Sequence, residues 1–155
     1  MAQRKIIIVG ENNLCRSFMG ETILRGQIRK KEVSDIEVIS RGLVVLFPEP
    51  ANPKAEAVME MHEQSLKDHT AEALQESDFD ERTLILAVNE ESQRKIFENY
   101  ENAQNVFLLS NYVSSTEEIK DPYGGSLEDY GVCYDVLESL ISKLVVLLNE
   151  EELLC

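Results

Sequence analysis

Short runs of consecutive apolar residues alternate along this chain with stretches in which apolar residues recur every three or four positions. Ile6–Val9, Leu84–Val88 and Val106–Leu109 are continuous apolar runs, the pattern of parallel strands covered on both faces. Val38-Ile39-Ser40 predicts a fourth, weaker strand. Between the first two lies a helix expected from Ser17 to about Arg29, with Met19, Ile23, Gln27 and Ile28 on one face. Asn52 before Pro53 reads as a cap followed by proline in the first turn, opening a helix to about Met61. Asp68 or Thr70 is expected to cap a short helix over Ala71–Leu74. Glu90–Asn99 predicts a polar helix with Ile96 and Phe97 facing inward. In the last helix Val132, Val136, Leu140 and Leu144, with Leu137, Ile141 and Leu148, make a broad apolar stripe. The tail from Glu150 to Cys155 is expected to fray. Strands linked by crossover helices imply an α/β fold, and the absence of repeats or linkers implies a single doubly wound domain over residues 1–155. A four-stranded parallel sheet with helices on both faces follows.

Composition narrows the function. The 155 residues are 43% hydrophobic and 28% charged, as in an ordinary soluble domain with room for a core. No apolar run approaches the ~20 residues of a membrane helix, and four apolar residues after Met1–Lys5 are too few for a signal peptide core. Three cysteines, at 15, 133 and 155, cannot all pair and have no metal-ligand spacing, so neither a metal nor a cofactor is implied. Thiols without an export signal predict a cytoplasmic protein. A formal charge of −14 argues against nucleic acid, whose phosphates would be repelled. It leaves room for one small anion held at a locally positive loop.

Such a loop follows the first strand. In Ile8-Val9-Gly10-Glu11-Asn12-Asn13-Leu14-Cys15-Arg16-Ser17 a buried strand feeds a polar loop and then a helix N-terminus. Free backbone N–H groups and the positive end of the helix dipole favour an anion there, above all phosphate. Arg16 adds a planar fork that matches two phosphate oxygens. In open α/β sheets, ligands also sit at the carboxyl ends of the strands, where this loop lies. The candidate phosphate-binding residues are therefore Glu11, Asn12, Asn13, Leu14, Cys15, Arg16 and Ser17. Asn12 tolerates a left-handed backbone.

This loop resembles the V-C-x-G-N-x-C-R-S-P phosphate loop of the low-molecular-weight protein tyrosine phosphatases: Val9, Asn13, Cys15, Arg16 and Ser17 match, and Gly10 stands in the place of the nucleophilic cysteine. Asp121-Pro122-Tyr123-Gly124-Gly125 resembles the family's D-P-Y-x-G segment. The resemblance makes Asp121 the general acid that protonates a leaving phenolate, Tyr123 an aromatic wall and Arg16 the transition-state clamp. Ser40-Arg41-Gly42 resembles S-A-G, Pro50–Ala55 resembles P-A-D-P-R-A, and Leu84–Asn89 resembles L-I-L-V-M-D. Asp68-His69 resembles a D/S-H pair, with His69 and Ser40 as loop supports and His69 a hydrogen-bond partner for Asn13 and Ser17. The family fold implies strand order 2-1-3-4.

The departures bear on function. In the family a thiolate attacks phosphorus and carries the phosphoryl group until water removes it; Gly10 has no side chain with which to do so. Cys15, next to Arg16, lies on the far side of the loop and cannot simply substitute, although a thiol near an arginine and a helix start is expected to have a depressed pKa. The family pairs this second cysteine reversibly with the nucleophile, a partner missing here. Glu11 brings a carboxylate to the anion pocket, expected to weaken phosphate binding or to favour substrates with basic flanks. Phe18 and Gly20 replace Pro and Ala, and Glu72 replaces an arginine. Leu14 resembles the aliphatic residue of tyrosine-directed members more than the threonine of arginine-phosphatase relatives. His62 reads as a surface residue, Cys133 as core and Cys155 as an exposed tail thiol.

Three readings stay open. One is a binding protein for inorganic phosphate or sulfate, a small aryl phosphate or a phosphorylated protein, inactive because Gly10 replaces the nucleophile. The second is an active phosphatase in a parent sequence with cysteine at position 10, or one using water slowly. The third is a non-catalytic regulatory or interaction subunit.

Overall fold

The computed structural model describes residues 4–33, 35–64 and 68–154. Four strands, β1 (Arg4–Gly10), β2 (Ile36–Gly42), β3 (Thr83–Ala87) and β4 (Val106–Leu108), form one parallel sheet in the order β2-β1-β3-β4. The helices are α1 (Arg16–Lys30), α2 (Pro53–Met61), α3 (Glu90–Asn99), α4 (Leu109–Tyr112) and α5 (Leu127–Leu154), with a short 3-10 turn at Glu76–Asp78. The expected α/β fold and strand order are present.

Alternation along β1 explains why its apolar run is continuous. Ile6 and Ile8 join a core built with α1, α2 and α5, while Ile7 and Val9 face a second core with Leu74, Phe79, Ile85 and Ile96. Asn52 caps α2 as expected, its side chain accepting from the Lys54 and Ala55 amides, and Pro53 takes the first helical position.

Several expectations need correction. The segment Ala71–Leu74 is not helical: Ala73 bridges Gly42 in parallel, the Gly42 amide donates to Glu72 O and the Leu74 amide donates to Gly42 O. Those backbone groups extend the sheet edge instead of closing a turn on themselves. Phe97 is 55% exposed beside a fully buried Ile96, because adjacent residues on a helix point about 100° apart and only one can meet the sheet. Val132 is likewise exposed; the buried stripe of α5 runs through Tyr130, Cys133, Tyr134, Leu137, Ile141 and Leu144. α1 begins one residue earlier than expected, at Arg16, and α5 continues to Leu154 where fraying was expected. The tail thiol Cys155 lies outside the described residues.

The corrected stripe sets a contrast within α5. Leu144→Ala is expected to cost about 2–5 kcal/mol in urea denaturation, and Val132→Ala less than about 0.5 kcal/mol.

Candidate functional site

The loop from Gly10 to Arg16 owes its shape to donors that come from outside it. The Leu43 amide donates to Gly10 O (3.0 Å) and to Glu11 O (2.8 Å), and the Val44 amide to Glu11 O (2.7 Å). His69 Nε2 donates to Asn13 O at 2.7 Å, the Asn52 amide to Leu14 O at 2.9 Å and the Met19 amide to Cys15 O at 2.9 Å. With their carbonyls tied outward, the peptides turn their N–H groups toward the inside of the loop. The amides of Glu11, Asn12, Asn13, Cys15 and Arg16 have no acceptor among the described residues. The Leu14 amide is used internally, donating to Asn12 Oδ1. A ring of free amides at a helix N-terminus is a site for an anion.

Asn13 holds the loop to its surroundings. It is 1% exposed; its Nδ2 donates to Ser17 Oγ and to Ser40 Oγ, both at 2.9 Å, and its Oδ1 accepts from the Glu72 amide at 3.0 Å. Ser40 Oγ in turn donates to Glu21 at 2.7 Å. Asn13, not Asn12, adopts the left-handed backbone (φ 60°), because the turn falls at the residue whose side chain is locked inside. His69 reaches Asn13 and stacks on Phe18 at 4.3 Å; its link to Ser17 runs through Asn13. The loop also passes so close to the end of β2 that a Cβ on Gly42 would lie 2.8 Å from Asn12 C and 2.9 Å from Asn13 N. Only glycine fits there.

The loop, Asn52, Asp121, Tyr123 and Tyr130 line a cavity of about 80 Å³, a size that takes a small anion and leaves any carrier outside. Arg16 is 7% exposed; its Nη1 donates to Ile119 O (3.0 Å) and its Nη2 lies 3.6 Å from Asp121 Oδ2. The guanidinium and the carboxylate therefore meet at one side of the cavity. Asp121 Oδ1 accepts from the Tyr123 amide at 3.0 Å, and Tyr123 stands 80% exposed at the rim. Gly124 takes φ 80° to close this turn, and Lys54 Nζ donates to Gly125 O at 2.6 Å, fastening it to α2. Sequence reasoning missed Tyr130 and the lining role of Asn52. Nothing local marks them, since both are brought in by helices remote in the chain.

Gly10 forms part of the cavity wall, and its backbone is not left-handed. A Cβ there would meet Ser17 Cβ and Oγ at 3.4 Å and Val88 Cγ2 at 3.6 Å, ordinary contacts. The position has room for a side chain. Cys15 turns elsewhere: its Sγ is 3.7 Å from Met19 Sδ and hydrogen-bonds the buried Cys133 of α5. That hydrogen bond and burial push the Cys15 thiol well above its ordinary value, correcting the expected depression. The nearby Arg16 pulls the other way and is outweighed.

Comparison with known proteins bears on this arrangement. The family model described as low molecular weight phosphotyrosine protein phosphatase matches residues 5–153. A low molecular weight protein-tyrosine-phosphatase, PtpB of Staphylococcus epidermidis, is 32% identical over 141 residues, covering 90% of this chain and 96% of its own. A protein-arginine-phosphatase of Geobacillus stearothermophilus is 31% identical over 151 residues, covering 96% and 98%. The crystal structure of a low molecular weight protein tyrosine phosphatase from T. tengcongensis superimposes with a TM-score of 0.85 at 29% identity, over 92% of this chain and 98% of that one.

The role of Asn13 can be split into its two parts. Asn13→Gly removes the side-chain bonds but keeps the left-handed turn, and is expected to cost about 1–3 kcal/mol in urea denaturation. Asn13→Ala adds backbone strain of about 1 kcal/mol or more to that loss.

Proposed function

The chain belongs to the low molecular weight phosphotyrosine protein phosphatase family, and from that premise we propose that it holds a phosphoryl group in the Gly10–Arg16 loop without turning it over. The observation that carries the binding half is the state of the loop peptides: the carbonyls of Gly10, Glu11, Asn13, Leu14 and Cys15 are engaged by neighbouring donors, while five of the loop amides have no acceptor among the described residues. In this reading Arg16 supplies the charge that clamps two phosphoryl oxygens, with Ser17 beside it. In the same reading Asp121, 3.6 Å from Arg16, is the group that would give a proton to a leaving oxygen. Tyr123 and Leu14 at the mouth suit a ring better than a flexible chain, which favours a phosphotyrosyl protein or a small aryl phosphate as the ligand. Inorganic phosphate or sulfate fits the same cradle.

The missing step follows from Gly10. Covalent phosphoryl transfer needs a nucleophile beneath the phosphorus, and glycine brings none. Binding does not suffer from the exchange, because a neutral glycine repels a phosphate less than a thiolate does. A second reading, an active phosphatase in a parent sequence carrying cysteine at position 10, is favoured by one observation: a Cβ at Gly10 meets its neighbours at ordinary distances, next to Ser17 Oγ.

Two experiments test these readings. Phosphate or tungstate is expected to raise the melting temperature saturably, and Arg16→Ala to abolish the effect; an Arg16→Ala protein that responds like the unaltered chain overturns the site. The unaltered chain is expected to hydrolyse aryl phosphates poorly or not at all, and Gly10→Cys to raise turnover by roughly 10³-fold or more. In that background Asp121→Asn should slow a poor leaving group more than a good one, measured across a series of substituted phenyl phosphates. Brisk turnover by the unaltered chain, or no gain in a folded Gly10→Cys protein, contradicts the nucleophile account.

A further inference from the structure

Glu11 is an awkward residue for an anion cradle. It is the first loop residue after β1 and lines the cavity, and a carboxylate there repels a phosphate dianion. Its main chain cannot retreat, because its carbonyl is fixed by the Leu43 and Val44 amides. Its side chain, however, is taken up from the opposite direction. Lys95, in the middle of α3, places Nζ 3.0 Å from Glu11 Oε1 and 3.1 Å from Oε2, so both carboxylate oxygens accept from one ammonium. The same Nζ lies 3.4 Å from Glu91, one turn back on α3. These contacts draw the Glu11 carboxylate toward α3 and away from the amides of the loop.

We propose that Lys95 is a positioning residue for the phosphate cradle: by neutralising Glu11 and holding its carboxylate against α3, it lets a loop with an acidic first residue accept a dianion. The inference rests on the cradle proposed above and explains how the loop tolerates the charge at position 11. As a device for stability the pair has little to offer, since both side chains remain partly exposed and such pairs contribute little to folding. Its place beside the candidate site gives it a different consequence. Removing the lysine leaves the acid beside the cavity with its charge uncompensated, and Glu91, one turn away on α3, adds to the negative field. Hydrogen bonding to Glu11 raises the Lys95 pKa, so the ammonium stays charged throughout the neutral range.

The test is calorimetric titration of tungstate into four full-length proteins: the unaltered chain, Lys95→Met, Glu11→Gln and the double variant. Melting temperatures without the anion confirm that each is folded. Lys95→Met is expected to weaken tungstate binding roughly three- to tenfold at low ionic strength, and the difference should shrink at about 0.5 M salt, where charges are screened within several ångströms. The double variant should bind as Glu11→Gln does, since no charge remains to be neutralised. If Lys95→Met binds like the unaltered chain, the inference fails and the cradle stands. A double variant as weak as Lys95→Met also overturns it, because the lysine would then act by supporting α3. If the unaltered chain binds no tungstate, the cradle itself is wrong and the inference falls with it.

Discussion

A buried amide side chain must find partners for two donors and an acceptor, and few conformations of a loop satisfy all three at once. Asn13 meets that demand with Ser17, Ser40 and the Glu72 amide, while its own carbonyl accepts from His69. Those partners lie on α1, on β2 and in the segment that pairs with Gly42. One residue thus sets the distance between the first strand and its helix, the height of β2 beside them and the direction in which the loop peptides face. This network works together with the Leu43, Val44, Asn52 and Met19 amides that engage the other loop carbonyls. A cradle fixed before its ligand arrives spends little of the binding free energy on ordering itself.

Around that rigid loop the charges are arranged in two pairs of opposite sense. Arg16 and Asp121 both line the cavity, whereas Glu11 lines it and its partner Lys95 stands on α3. Arg16 is nearly buried, and its carboxylate partner is half-exposed. The second pair contains an acid pinned by its backbone. Cys15, the thiol already in the loop, lies against Met19 and Cys133, and that contact with burial pushes its pKa upward. In the proposed reading this leaves Gly10, not Cys15, as the position on which reactivity turns.

Much of this was legible in the chain because its cause is local. Short continuous apolar runs mark the strands, although the edge strand β4 leaves Phe107 exposed and Leu109 opens α4, and the strand–loop–helix order places the candidate loop at the carboxyl end of the sheet. Asn52-Pro53 announces its helix in the same way. What escaped depends on contacts remote in sequence. Periodicity cannot choose between Ile96 and Phe97 or between Val132 and Cys133, since each pair straddles the edge of an apolar face and the sheet decides which side is covered. Residues 71–74 look helical until Gly42 and Asn13 claim their backbone groups. Asn12 and Asn13 both tolerate a left-handed backbone, and burial selects Asn13 for it. The Lys95–Glu11 and Cys133–Cys15 contacts leave no trace in spacing at all.

The sequence separations within the cradle carry one more consequence. His69 reaches Asn13 across 56 residues, and Ile119 receives Arg16 across 103. Closing such long loops comes late in the assembly of a parallel sheet, after the local turns and helices have formed. Until both closures are made, the Asn13 carbonyl lacks its donor and Arg16 has no wall to lie against. The proposed anion cradle is therefore complete only in the fully folded chain. A ligand that recognises it binds no partly folded form, so occupancy draws folding intermediates toward the native state by mass action. If the cradle takes phosphate as proposed, the anion biases this protein toward chains whose last contacts have closed.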